Sequence, residues 1–322
     1  MLSRDATMSI AVLVPCYNEE LTVAEVVRDF REQLPAAQIY VYDNNSTDQT
    51  RERAREAGAI VRSEKRLGKG FVVRSMFREV DADLYVLVDG DGTYPASRVH
   101  DLLAAITDSA ADMAVASRLH LQSRTELRKL NRFGNRIFLK VLNAIFKSEL
   151  TDVLSGYRAF PRHFIKETPL FASGFEVEAE LTIKALERGA RIVEVPTDLR
   201  SRPTGSHSKI HVARDGAVIL STILALFRDY KPLTFFGAIG LLLIGLALIP
   251  GGLVIHEFVT TGLVPRIPSA ILAVGLVLSG MLSITAGVVL HTTVRRFQEL
   301  NHQLRSLSLT IAPGRDLPRG QR

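Results

Sequence analysis

Two carboxylates, Asp89 and Asp91, flank one glycine in VLVDGDGTYP, residues 86–95, directly after an apolar run. A pair so spaced at a strand's end can grip a hard divalent cation, Mg²⁺ or Mn²⁺, directly or partly through water, and such a cation can bridge to a ligand's phosphates. Asp-Gly-Asp is also an ordinary turn sequence, so the neighbours decide. Asp43 closes a second strand-like run, QIYVYD; RLGKG (66–70) supplies a flexible basic loop; Arg118 ends a third run, MAVASR. Acids and bases gathered in this way suit a ligand that carries phosphates. GKG lacks the spacing and the Ser/Thr of a Walker loop, which disfavours a nucleoside triphosphatase.

Other polar residues read more simply. Glu176, Glu178 and Glu180 form an acid cluster, but alternate positions on a helix spread around it, which argues against a second metal site. His207 lies in a polar segment and is expected to be exposed. The one cysteine, Cys16, excludes an intramolecular disulfide or a cysteine-only metal site, and its place in an apolar strand makes it a buried thiol.

The elements that position these residues follow from periodicity. IAVLVP (10–15) reads as a buried strand, EELTVAEVVRDFREQL (19–34) as an amphipathic helix and QIYVYD (38–43) as a strand. STDQTRERAREAG (46–58) reads as a helix opened by a Ser/Thr/Asp cap and ended at Gly58. AIVRS, GKGFVVRSMFREV, LYVLVD, ASRVHDLLAAIT and MAVASR continue the alternation. Units of this size predict a mostly parallel sheet covered by helices on both faces, with ligands beyond the C-terminal strand ends, where Asp43, Asp89 and Asp91 fall.

Residues 119–170 are less regular. NRFGNRIFLKVLNAIF (131–146) has helical spacing and suits either a helix packed on its own domain or one lying at a lipid surface. EVEAELTIKALERG (176–189) reads as a helix and RIVEVPTDLR (191–200) as a strand whose proline fits an edge or bulge. RPTGSHSK (202–209) is polar, and 212–230 reads as an amphipathic approach to a membrane.

Two uncharged runs follow, 233–255 and 269–290, each long enough at about 1.5 Å per residue to cross a hydrocarbon layer of about 30 Å. Pro250, Gly251 and Gly252 either kink the first or mark its far end. Arg228 and Lys231 precede the pair and Arg295 and Arg296 follow it, which predicts that both ends are cytoplasmic. The first residues lack the apolar stretch of a secretory signal, in keeping with a cytoplasmic front domain. The last residues, APGRDLPRGQR, show no apolar pattern and are expected to be disordered. The 322 residues carry a net charge of +6, which alone does not choose among nucleic acid, phosphorylated ligands and anionic lipid. The mixed signs and sparse aromatics speak against a nucleic-acid surface.

The motifs VLVPCYNEE, VYDNNSTDQT, RLGKG, VLVDGDGTYP, ASR, TDVLSGYRAF and GSHSK, in that order and ahead of the paired apolar runs, resemble family 2 glycosyltransferases. The likeness is to the branch that charges a polyprenyl phosphate with one sugar, such as dolichyl-phosphate mannose synthase and its bacterial glucosyl relatives. It implies an α/β, GT-A-type nucleotide-sugar-binding domain with a mostly parallel mixed sheet over residues 1–211. An amphipathic juxtamembrane helix (212–231), a two-helix transmembrane hairpin (232–292) and a partly disordered cytosolic tail (293–322) would follow. By the same resemblance Pro15, Tyr17, Asn18, Glu19 and Asp43 line a nucleoside pocket, with Lys69 and Gly90 in the nucleotide site. Asp89 and Asp91 hold the metal and diphosphate, and Arg118 and Arg158 sit where phosphates meet. Arg202 and Lys209 close over donor diphosphate or acceptor phosphate. Asp91, Arg118, Arg158, Arg202 and Lys209 form the expected catalytic set; Arg158 contacts phosphate or else pairs structurally with Asp152. DNNS and Thr93 depart from the commoner Asp-Asp-Gly-Ser and Gln of the pattern.

The implied activity is inverting transfer of one hexose-type sugar from a nucleotide sugar, UDP rather than GDP by the likeness, to undecaprenyl phosphate or a similar carrier. The expected setting is the cytoplasmic face of a bacterial inner membrane, with the lipid bilayer as a partner and a homo-oligomer, a tetramer by resemblance, as the assembly. A processive polymerase, a transferase to another lipid and a nonenzymatic membrane scaffold are the rival classes.

Overall fold

Alternation within single strands organises the sheet. In β1 (Ile10–Cys16), Val12 and Val14 face one side and Leu13 the other, all fully buried, as a strand covered on both faces requires. The computed structural model describes residues 8–118, 139–140, 142–144, 146–200, 221, 224–225 and 227–311. Helix α1 (Val23–Gln33) leads to β2 (Gln38–Asp43), α2 (Thr50–Glu56), β3 (Ile60–Ser63), α3 (Lys69–Glu79) and β4 (Leu84–Leu87). A short 3-10 turn (Ala96–Arg98), α4 (Val99–Thr107) and β5 (Met113–Ser117) follow. After them come β6 (Arg158–Pro161), α5 (Arg162–Glu167), α6 (Val177–Glu187) and β7 (Ile192–Pro196).

The strands form one seven-stranded sheet in the order β3-β2-β1-β4-β6-β5-β7. All neighbours are parallel except β6, which runs antiparallel to both β4 and β5. Val27 and Phe30 of α1 and Val99 and Leu102 of α4 pack against Val12, Val14 and Val86 on one face. Val73 and Met76 of α3 and Leu181 of α6 pack against Leu13, Tyr85 and Leu87 on the other. Each fully buried side chain of this size contributes about 1.5–3 kcal/mol, so stability concentrates under β1 and β4.

The expected mixed, mostly parallel sheet is present. β6 was not visible as a strand, because RAFP is four residues long and opens with an arginine. Pro196 ends β7, an edge strand, where a missing N–H costs no ladder bond. Helix α2 starts at Thr50, not at Ser46. Ser46 and Asp48 are used elsewhere: their side chains accept the amides of Asn18 and Glu20.

By contact the chain divides into two units, Met1–Ile223 and Leu224–Arg322. The second contains α7 (Pro232–Thr261) and α8 (Ile267–Ile311). Both are long and apolar enough to cross a membrane, and their leucines are largely exposed, unlike those of a soluble core helix. Helix α7 continues eleven residues past Pro250 and ends at Gly262, so the Pro-Gly-Gly segment is not its end. The two helices approach closely at glycines. A Cβ on Gly240 would lie 2.6 Å from the Gly280 carbonyl oxygen, and one on Gly280 2.7 Å from that of Gly240. Ser283 Oγ donates to the Phe236 carbonyl at 2.8 Å. The segment 202–209 and the tail 312–322 lie outside the described residues, as do most of the predicted helix at 131–146 and of the approach at 212–230.

Candidate active site

The chain leaves β1 for β2 on one side and later enters β4 on the other, so the sheet order reverses between β1 and β4. Open α/β sheets bind ligands in the crevice outside the strand ends at such a point. Asp43, Asp89 and Asp91 lie beside it.

On the β1–β2 side two loops are laced together. The Asn18 amide donates to Ser46 Oγ at 2.9 Å, the Thr47 amide to Asn18 Oδ1 at 2.8 Å, and the Glu19 amide to Thr50 Oγ1 at 2.8 Å. Asn18 adopts a positive φ of 52°, a conformation that asparagine tolerates better than most residues. Asp43 is fully buried, with Oδ2 held by Arg51 Nε at 2.6 Å. Tyr17 stays exposed and Pro15 half-buried. Asn44 donates to the carbonyls of Glu64 and Arg66 and accepts the Gly68 amide at 2.7 Å. It therefore shapes the basic loop, a role its sequence neighbours did not reveal.

The two acids of the opening motif have different surroundings. Asp91 is buried and its Oδ1 accepts the Thr93 amide at 3.1 Å and hydroxyl at 2.6 Å. Gly90 between them is obligatory, since a Cβ there would lie 2.4 Å from Cys16 Sγ. Asp89 Oδ1 accepts from Lys69 Nζ, which also pairs with Glu178. Behind Asp89 stands Gly156, where a Cβ would lie 2.3 Å from Asp89 Oδ2. Lys69 is not in a flexible loop: it is the first residue of α3 and nearly buried. Burial alone would push its ammonium down, but the charges of Asp89 and Glu178 outweigh this and hold it well above the ordinary lysine range.

Arg118 grips Asp152 in a two-point fork, Nε to Oδ2 at 2.6 Å and Nη2 to Oδ1 at 2.8 Å. Burial would raise the Asp152 carboxyl, yet the Arg118 hydrogen bond and charge bring it below the usual range. A third of the Arg118 side chain remains open to solvent. Arg158 is different. It is fully buried, and donates to the carbonyls of Ser155 and Val153 at 2.8 Å and to Thr182 Oγ1 at 2.9 Å. It pairs with the chain's own oxygens, and the structural pairing expected between it and Asp152 is not formed, because Arg118 takes that carboxylate. Burial brings the Arg158 guanidinium below the ordinary arginine range.

The structure thus brings Asp89, Lys69 and Glu178 together, with Arg118 and Asp152 beside them, and keeps Arg158 beneath as part of the floor. Arg202 and Lys209 lie outside the described residues. Glu176, Glu178 and Glu180 spread around their helix as their spacing predicts, Glu178 towards Lys69 and the other two towards the loop 171–174; all three are nevertheless buried, because α6 is covered on every side from Val177 to Ala185. Glu178 and Gly156 are therefore site residues that the spacing concealed.

Among the described residues no three acids, histidines or cysteines cluster as a complete metal cage. The carboxylates of Asp89 and Asp91 fit a different arrangement, a hard cation that takes a few oxygens from protein and the rest from water and a ligand's phosphates.

A model of the family described as Glycosyl transferase family 2 matches residues 11–168. The glycosyltransferase AglJ of Haloferax volcanii is 35% identical over 233 residues, 72% of this chain and 76% of the relative. The dolichyl-phosphate hexose transferase of the same organism is 29% identical over 215 residues, 67% of this chain and 92% of the relative. Among solved structures, glucosyl-3-phosphoglycerate synthase from Mycobacterium tuberculosis in complex with UDP has a TM-score of 0.56 at 25% identity, covering 69% of this chain and 80% of that one.

Proposed function

The chain belongs to glycosyl transferase family 2, with a GT-A-like α/β fold, and from that premise we propose that it moves one hexose-type sugar from a nucleotide sugar to a polyprenyl phosphate. The carrying observation is that one chain joins a carboxylate pair at the switch point of its sheet to two helices apolar enough to cross a membrane. A polyprenyl tail cannot leave lipid, so the site has to come to the acceptor at the membrane surface. The likeness to a dolichyl-phosphate hexose transferase along 92% of that protein supports the acceptor class, and the fold shared with a UDP complex supports a UDP-sugar donor. Undecaprenyl phosphate and the cytoplasmic membrane face complete the proposal.

In this mechanism Pro15, Tyr17, Asn18, Glu19 and Asp43 form the nucleoside side, with the loop lacing described above keeping it rigid. Asp91, with Asp89, would hold Mg²⁺ or Mn²⁺, and when bound the cation stabilises charge on the departing nucleoside diphosphate. A phosphate monoester has a second pKa of about 6, so the acceptor is already a nucleophile near neutrality and needs no strong base. Its approach to a diphosphate is the harder problem, since like charges repel strongly in a shielded site. Arg118, Arg202 and Lys209 offset that repulsion and hold the acceptor oxygen in line with the anomeric carbon, which gives inversion. Arg158 acts as a positioning residue, fastening the segment 153–155 under the site.

The test is transfer from a panel of radiolabelled UDP- and GDP-sugars to undecaprenyl phosphate in detergent, with Mg²⁺ or Mn²⁺. One lipid-extractable product carrying one sugar is expected. A ladder of products would replace this reading with a polymerase, and no turnover by folded protein would remove the polyprenyl acceptor.

A further inference from the structure

Helix α6 and the residue before it carry three buried acids, and two of them are fully employed. Glu180 accepts the amides of Phe171 and Ala172 at 2.9 and 2.8 Å and pairs with Lys184 at 2.7 Å. Glu176 accepts the amides of Ser173 and Gly174, both at 2.9 Å. Together they clamp the loop 171–174, which packs so tightly on the start of α3 that a Cβ on Gly70 would lie 2.2 Å from the Ala172 carbonyl oxygen.

Glu178 does none of this. It is 3% exposed, its Oε1 meets Lys69, and its Oε2 has no hydrogen-bond partner among the described residues. A buried carboxylate oxygen without a donor is costly, and native proteins rarely leave one so. The missing partner is a neutral donor. The Lys69 ammonium already supplies the positive charge that this carboxylate meets, and the place proposed for a metal cation is at Asp89 and Asp91.

Given the nucleotide-sugar donor proposed above, on which this rests, we propose that Glu178 reads the transferred sugar, its Oε2 accepting a hydrogen bond from one hydroxyl of the hexose. Lys69 ties Glu178 to Asp89, so the buried, unpartnered oxygen stands one side chain away from a member of the carboxylate pair proposed to hold the metal and diphosphate. The sugar attached to that diphosphate brings hydroxyl groups, each able to donate. The clamped loop and the Lys69 bridge fix the acceptor in advance, which is what discrimination between hexoses requires. A site built to accept a substrate hydroxyl rejects the analogue lacking it by about 10⁴-fold in favourable cases.

The experiment compares full-length wild type with Glu178→Gln, using UDP, the UDP-hexose that binds best in the panel, and its monodeoxy analogues. Calorimetric affinities are measured first and kcat/KM second. UDP alone should bind both proteins within about threefold. Removal of one particular hydroxyl should cost wild type about 100-fold or more and the variant less than about threefold. Equal losses in both proteins for every deoxy analogue overturn the proposal and leave Glu178 as a holder of Lys69. If Glu178→Gln does not fold, Glu178→Asp takes its place: its carboxylate is set back by one methylene, so the same hydroxyl should matter less than in wild type, and unchanged sensitivity counts against the proposal. Wild type that binds UDP but gains nothing from any attached sugar also overturns it, with the nucleotide site intact. Wild type that binds neither UDP nor any nucleotide sugar fails the proposed function itself.

Discussion

The sheet of the first unit turns Val12, Leu13 and Phe160 inward, whereas the helix pair of the second leaves Leu241, Leu248 and Leu282 outward. Charges that enter the first interior come with partners: Lys69 with Asp89 and Glu178, Lys184 with Glu180, Arg118 with Asp152. The close contacts of the second are made by Gly240, Gly280 and the Ser283 hydroxyl. In water, burial of apolar area drives packing. Between apolar helices in lipid that drive is missing, and close backbone approach takes its place. Damage in the two regions should therefore register in different properties.

The largest expected effect is on chemistry without stability. Asp91→Asn should lower kcat by about 100-fold or more while shifting the thermal midpoint by less than about 2 °C. A large fall in the midpoint would blur the contrast. Gly156→Ala is next, because its Cβ would lie 2.3 Å from Asp89 Oδ2 and must displace that carboxylate. Misplacing a reacting group by about 1 Å can cost about 100-fold, so transfer rates should fall roughly 10- to 100-fold.

The reverse pattern belongs to the helices. Gly280→Leu should destabilise the pair by about 1–3 kcal/mol, read by unfolding in mixed micelles, while UDP affinity is unchanged; a loss of UDP binding would break the comparison. The smallest effect sharpens the first unit alone. Glu64 is held down to about 2 from the ordinary 4.5, chiefly by its Arg66 hydrogen bond. A depressed carboxyl contributes stability that is complete above pH 4.5 and disappears as the pH falls towards 2. Because Arg66 is exposed and screened, Glu64→Gln should cost only about 1 kcal/mol at pH 7. The gap from wild type should close by pH 2 in a thermal titration.

Much of this was legible in sequence, for a physical reason. Branched runs such as IAVLVP and LYVLVD reveal strands by their own burial, and acids at their ends fall where a parallel sheet puts ligands. The rest depends on distant partners. Glu178 could not be told from Glu176 or Glu180, since what separates them is which contacts come from Lys69 and which from the amides of 171–174. Arg158 reads as a phosphate ligand until the burial of β6 is known, and β6 itself is too short and too polar at its start to announce a strand.

Sheet order also sets a timetable. β5 has only β6 and β7 as neighbours, and β6 begins about 40 residues after β5 ends. At a synthesis rate of roughly 5–20 residues per second, β5 waits about 2–8 s on the ribosome with both edges open, while β1 to β4 can already pair. The strand that ends this wait carries Arg158, so the laced loops that follow β1 and β2 can form in the nascent chain before the segment 153–155 is fastened.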